Sequence, residues 1–192
     1  QRFEAFELIV VEQVMDMKGN QAAIEALDDN RIRYFKVSPP SLTAARNFGI
    51  KMAKSDILLF LDDDIEILDP SLIRYHYEAF ALNPKVVAVG GRVINKDNRL
   101  FVQLPSEVSK YHDRYGMGHG SFNCPNSGPA TEIPGGNMSL KKSARNRIGG
   151  FDTRFRGNAI REESDVAHRL IKAGGEIYFE SKAAIYHIAA PQ

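Results

Sequence analysis

Cysteine is almost absent from this chain, Cys124 being the only one in 192 residues. No intramolecular disulfide can form, which fits a reducing compartment and a cytoplasmic location. Long apolar runs are lacking too. None approaches the roughly 18 residues that suggest a membrane span, and no signal-peptide pattern is read at the start. An excess of one charge is also missing: the net charge of +1 points away from nucleic acid and from acidic partners. No internal repeat or low-complexity segment is evident. The chain begins at Gln1 without a methionine and stops just after Pro191, so it is read as a piece of a longer protein. What is present, 43% apolar and 26% charged residues, is ordinary for a globular domain. The length suits one domain with a real core.

Short apolar runs alternate with helical patterns. Leu8 to Val11 reads as a buried strand, Asn20 to Leu27 as a short helix or turn, and Arg31 to Val37 as a second strand. Pro39-Pro40-Ser41 stops the extended chain, and Ser41 is a candidate helix cap. Leu42, Ala45, Gly49, Met52 and Ala53 share one helical face, with Arg46 on the polar face, and this helix is expected to end at Asp56. The strand ILLFL follows. Asp69-Pro70 starts a helix over Ser71 to Ala81, and Val86 to Val89 is a strand ending at Gly90-Gly91. Residues 96–132 read as a long excursion, a common home for function. A short helix is expected over Lys142 to Ile148. A stronger one covers Glu162 to Ala173, with Val166, Ala167, Leu170 and Ile171 as its stripe and Gly174-Gly175 as its stop. Glu176 to Phe179 and Ala183 to His187 close the chain as two short strands. This alternation predicts an α/β fold with a mostly parallel sheet covered by helices, its ligand outside the carboxyl ends of the strands.

That placement gives meaning to FLDDDIEI, residues 60–67. Two like charges about 4 Å apart repel by roughly 1 kcal/mol in water and about 4 kcal/mol near a protein surface. Converging aspartates must spread into solvent, share protons or hold a cation, and carboxylates suit Mg²⁺, Mn²⁺ or Ca²⁺. One reading is a solvated acidic turn closed by Asp69-Pro70. A helix-loop-helix calcium site is excluded, because counting from Asp62 puts Ile67 and Ile73 where glycine and glutamate are required. A cluster at a strand end holding a divalent ion against a diphosphate remains.

Three segments, AARNFGIKMAKSDILLFLDDDIEI, PGGNMSLKKSARNRIGGFDTRF and REESDVAHRLIKAGG, occur in this order. Together they resemble a family 2 glycosyltransferase of the GT-A fold over about Glu7 to His187. The resemblance implies a mixed, mostly parallel sheet flanked by helices. It also implies transfer of a sugar from a nucleoside diphosphate sugar to a saccharide or other hydroxyl acceptor, usually with inversion and with Mn²⁺ or Mg²⁺. On this match DDD corresponds to the family's DxD motif, with Asp64 on the metal and Asp62 and Asp63 reaching the ribose or helping to hold the ion. Glu66 falls outside the motif. Arg46 lies in a segment near the nucleotide; the alternative is a surface arginine paired with a carboxylate. Gly135, Gly136 and Asn137 match the stretch lining donor sugar and acceptor, or are simply a turn before a strand. Glu162 and Glu163 match the acidic pair that supplies the catalytic base, with Glu163 as the base. Acidic first turns are also favoured by the helix dipole alone, and Asp165 is assigned to helix structure. His187 matches a position that can complete the metal site, although a strand-end histidine can also be merely hydrogen-bonded.

The chain departs from the family pattern at its start. The strand that normally opens the fold is not found, so residues 1–192 are read as a single domain lacking its first strand. The next strand ends Val11-Glu12-Gln13, leaving Glu12 to read the base where two acids are usual. Two rival readings stay open: a nucleotidyltransferase-like enzyme, or a non-catalytic nucleotide- or sugar-binding remnant. Flanking segments would be the source of any peripheral attachment to the cytoplasmic face of a membrane.

Overall fold

The structure, a computed structural model, describes residues 3–13, 19–96, 110–112, 117–119, 121–157 and 159–188. β1 (Leu8–Glu12) and β2 (Ile32–Lys36) pair in parallel, from Leu8 opposite Ile32 to Glu12 opposite Lys36. α1 (Asn20–Glu25) lies between them in sequence. Ser41 then caps α2 (Leu42–Met52), its hydroxyl accepting from the Ala44 N–H at 3.3 Å. This helix stops at Met52, four residues before Asp56, because other partners take the backbone groups that follow. The Lys54 N–H donates to Glu7 at 2.6 Å and the Lys142 ammonium donates to the Ala53 carbonyl at 2.6 Å.

The main sheet is built from β3 (Ile57–Leu61), β4 (Ile65–Ile67), β5 (Val86–Asn95), β8 (Gly128–Ala130), β9 (Asn137–Lys141) and β10 (Glu176–His187). Its order is β3-β9-β5-β10-β4, with β8 also paired to β10. Between β5 and β8, β6 (Lys110–His112) and β7 (Met117–His119) form an antiparallel pair within the expected excursion. Residues 97–109, 113–116 and 120 of that stretch lie outside the described residues. The sheet is mixed, as the resemblance implied, but it is not mostly parallel. Among neighbours in this sheet only β5 and β10 pair in parallel; β9 is antiparallel to both β3 and β5, and β4 and β8 are antiparallel to β10. A parallel partner needs a crossover, usually a helix. β9 is entered directly from the PGGN turn and slots between two strands of the opposite direction.

Two strand ends also differ from expectation. β5 runs through Gly90-Gly91 instead of stopping there. These glycines admit neighbours: a Cβ on Gly90 would lie 2.8 Å from Pro134, and one on Gly91 would lie 2.4 Å from the Ala183 carbonyl. The two closing strands are one, β10, with a register shift between Glu180 and Ala184.

Helices cover both faces. α5 (Glu162–Lys172) buries Val166 and Leu170 against Met138, Leu140 and Phe179, joined by Ala144 of α4 (Lys142–Arg147). On the other face, α3 (Leu72–Ala79) packs Ala79 with Val86 and Val89, and Leu72 with Ala183 and Ile185. Strand alternation turns Asn137 and Ser139 of β9 toward α3. There they meet His76, which is 1% exposed. Its Nδ1 lies 2.9 Å from Ser139 Oγ and its Nε2 2.9 Å from Asn137 Oδ1. Among the described residues no helix is long and apolar enough to cross a membrane.

Burial pushes the His76 pKa down from 6.5 to about 4, against a smaller upward pull from its hydrogen bond with Asn137. The unfolded chain therefore takes up a proton near pH 6.5 that the folded chain refuses until about pH 4. Stability from this group is present above pH 6.5 and is lost as pH falls toward 4, by roughly 3 kcal/mol over the whole window. Urea unfolding between pH 7 and pH 4.5 should show this slope, and His76→Gln should flatten it.

Candidate active site

The register of β3 against β9 places Leu61 opposite Asn137, so the residue after β3 meets the turn before β9. The Asp62 N–H donates to the Gly136 carbonyl at 3.4 Å. A Cβ on Gly136 would lie 2.4 Å from Asp62 Oδ2, so only glycine leaves room for that carboxylate. Arg46 enters from α2. It was expected on a polar face, yet its side chain is only 8% exposed, because α2 is covered on that side too. Its guanidinium donates to Asp62 Oδ1 at 3.2 Å, to the Gly135 carbonyl at 3.0 Å, and to Glu162 Oε1. The Phe151 ring lies 5.5 Å from the guanidinium carbon. Burial pulls the Arg46 pKa down, while Asp62 and Glu163 pull it up.

Glu162 and Glu163 open α5, where acids suit the helix dipole. They differ in environment. Glu162 is 2% exposed and ion-paired to Arg46, and its Oε2 accepts no hydrogen bond. Glu163 is half-buried. Burial pushes its pKa up and Glu132 adds to this, while its own backbone N–H, Arg46 and Arg161 pull it down; the net shift is upward. A carboxylate of raised basicity in a polar cleft has the character of a general base. Asp165 has the structural role expected of it, accepting from Arg169 one turn on at 2.9 Å.

The far end of the triplet meets the end of β10. His187 pairs with Ile65 across the β10–β4 ladder, and the Ile188 N–H donates to the Asp64 carbonyl at 2.8 Å. This sets His187 Nε2 3.1 Å from Asp64 Oδ2, both side chains being partly exposed. One carboxylate oxygen and one imidazole nitrogen facing each other at an open edge suit Mn²⁺. Among the described residues no group of three His, Cys, Asp or Glu side chains converges. A two-residue protein set is the arrangement in which substrate phosphates complete the coordination. Asp63 is exposed, and Glu66 pairs with Lys96 at 2.7 Å.

Asn137 is a correction. It was expected to line the donor site, but its side chain is buried, donating to the Ala183 and Arg92 carbonyls at 2.8 and 3.1 Å and joined to His76. It locks β9 to β5, β10 and α3, with both amide N–H groups taken. Glu12 stands at the end of β1, apart from this cluster. It accepts from Asn20 at 2.9 Å, and its other oxygen has Lys36 at 3.8 Å and no hydrogen bond. The roles of Phe151 under Arg46, Glu132 beside Glu163 and His76 behind the turn escaped the sequence. Phe151 sits in the GGFD segment already singled out, but no periodicity marks the other two.

Comparison with known proteins bears on the fold and the family. A crystal structure of GalNAc-T7 with UDP, GalNAc and Mn²⁺ matches 97% of this chain and 38% of its own, with a TM-score of 0.72 and 12% identity. The mannosyltransferase PcManGT from Pyrobaculum calidifontis, in complex with GDP-Man and Mn²⁺, matches 97% of this chain and 48% of its own, with a TM-score of 0.68 and 16% identity. These likenesses define the fold as GT-A. The sequence model of Glycosyl transferase family 2 matches residues 1–149, and the chain belongs to that family. Among curated proteins, the pre-mycofactocin glycosyltransferase of Mycobacterium tuberculosis is 26% identical over 149 residues, 75% of this chain. The chain spans 29% of the length of that relative.

Gly136→Ala tests the cradle around Asp62. The new methyl must push the carboxylate away from Arg46 without blocking the backbone, since Gly136 does not have a positive φ. The thermal midpoint should fall by only a few degrees.

Proposed function

We propose that this domain transfers a sugar from a nucleoside diphosphate sugar to an acceptor hydroxyl by a single inverting displacement that depends on a divalent cation. The observation that carries the reading is the meeting, through Arg46, of the triplet's first aspartate with the first turn of α5. This supports the reading by bringing a carboxylate at the carboxyl end of β3 and the acidic first turn of α5 to one guanidinium.

Asp62, with Asp63, contacts the donor's ribose, and the backbone of Gly135 and Gly136 lines the sugar. Glu12 reads the base. Asp64 and His187 are the residues that would hold the cation, which neutralises charge on the leaving diphosphate when bound. Glu163 accepts the proton of the acceptor hydroxyl as that oxygen attacks the anomeric carbon. The bond from that carbon to the diphosphate oxygen breaks, its electron pair leaves with the diphosphate, and the configuration inverts. A site of action in the cytoplasm, with any membrane attachment supplied by flanking segments, is part of the same proposal.

Thermal shift with UDP, GDP, dTDP and CDP, each with Mn²⁺ and with EDTA, tests donor binding. A ligand bound only by the folded state stabilises it by RT ln(1 + [L]/Kd). One nucleotide should raise the midpoint, and EDTA should remove the effect. With that donor, Asp64→Ala and Glu163→Gln should each lower transfer by about 100-fold or more while the far-ultraviolet circular dichroism stays unchanged. Full activity in both variants would overturn the assignment. Binding without transfer or slow donor hydrolysis would favour a non-catalytic domain.

A further inference from the structure

Arg46 belongs to a segment expected near the nucleotide, but its donors are turned inward. Its side chain is 8% exposed, and its terminal nitrogens are engaged by Glu162, Asp62 and the Gly135 carbonyl. The Phe151 ring lies beside the guanidinium, its centroid 5.5 Å from the guanidinium carbon. Glu162 is more deeply buried still, at 2%. It depends on this one counter-ion, because its Oε2 accepts no hydrogen bond.

We infer that Arg46 is a positioning residue, not a nucleotide contact: it ties Asp62 and the PGGN turn to the first turn of α5 and so fixes Glu163 beside the donor. The inference rests on the reading of Glu163 as base and Asp62 as donor contact. Arg46 links segments that are far apart in sequence, at positions 46, 62, 135 and 162. A guanidinium fork can do this with fixed angles, and a lysine cannot. The charged groups that face Glu163 are Arg46, Arg161 and Glu132, so Arg46 also acts on its basicity through space.

The test compares wild type, Arg46→Gln, Arg46→Lys and Glu162→Gln in the same chain. Steady-state kinetics would vary the sugar nucleotide identified by the thermal-shift panel, and Glu163 would be titrated by carboxyl-carbon NMR. Both Arg46 variants should lose about 100-fold in kcat with donor KM within about threefold, since the interaction lost is one that places the base. The Glu163 midpoint should rise in Arg46→Gln, where a nearby cation is gone, and fall in Glu162→Gln, where a like charge is gone. A merely structural contact would not move the midpoint in these opposite directions. Retention of kcat with a rise of about tenfold or more in donor KM would mark Arg46 as a donor contact and overturn the inference. If wild type transfers no sugar, the functional reading fails by itself and the titration still decides: a Glu163 midpoint unmoved in Arg46→Gln overturns the inference. Should Arg46→Gln fail to fold, Arg46→Lys decides in its place: retained kcat with donor KM raised about tenfold or more overturns the inference.

Discussion

The buried guanidinium of Arg46 is the constraint around which the cleft is arranged. Removing such a charge from water costs several kcal/mol, and an ion pair recovers this only when geometry and further hydrogen bonds are favourable. Here two carboxylates, one backbone carbonyl and the Phe151 ring meet that requirement. The net gain in stability from such a cluster is small or none. Its consequence is placement: Asp62, the PGGN turn and α5 can take up only relative positions that keep the guanidinium satisfied.

Behind the cleft a second polar cluster works without charge. His76 bridges Ser139 and Asn137, and Asn137 reaches two further strands through backbone carbonyls. Each of these groups is buried, so a lost partner leaves an unsatisfied donor or acceptor. The arrangement holds β9 rigidly where it enters the sheet, immediately after Gly136. The PGGN turn is therefore anchored from behind by a neutral network and from the front by an ion-paired one. Glu163 sits at the junction, where burial outweighs the attraction of Arg46 and leaves it more basic than an ordinary glutamate.

The opposite end of the triplet obeys a different rule. Asp64 and His187 stay partly open to solvent and face each other across a strand pairing. A charge left accessible there can exchange its partner for an incoming cation and phosphate at little desolvation cost. Three consecutive aspartates thus differ in partner: Asp62 is held by Arg46 and Asp64 stands opposite His187, both partly exposed, while Asp63 faces water.

Much of this was legible in the chain itself. Apolar runs and helix stops located β1, β2, β3 and α5 to within a residue or two, because strand and helix periods and capping groups are local properties. The ordered motifs brought the family, the triplet, the α5 acids and His187 into view. The direction and order of strands were not legible: alternation suggested parallel neighbours, while β9 arrived without a crossover and inserted antiparallel. Nor was Asn137 legible, since an asparagine beside two glycines looks the same whether it meets a sugar or a histidine in the core. The burial of Arg46 was equally hidden, because the helical wheel marks its face as polar without showing what covers it. The sequence by itself determined the local elements and the chemistry of the acidic residues, which depend on neighbours a few positions away. Only the tertiary structure decided which of those groups meet and which stay wet, because contacts between positions 46, 62, 135 and 162 exist only once the sheet has closed around them.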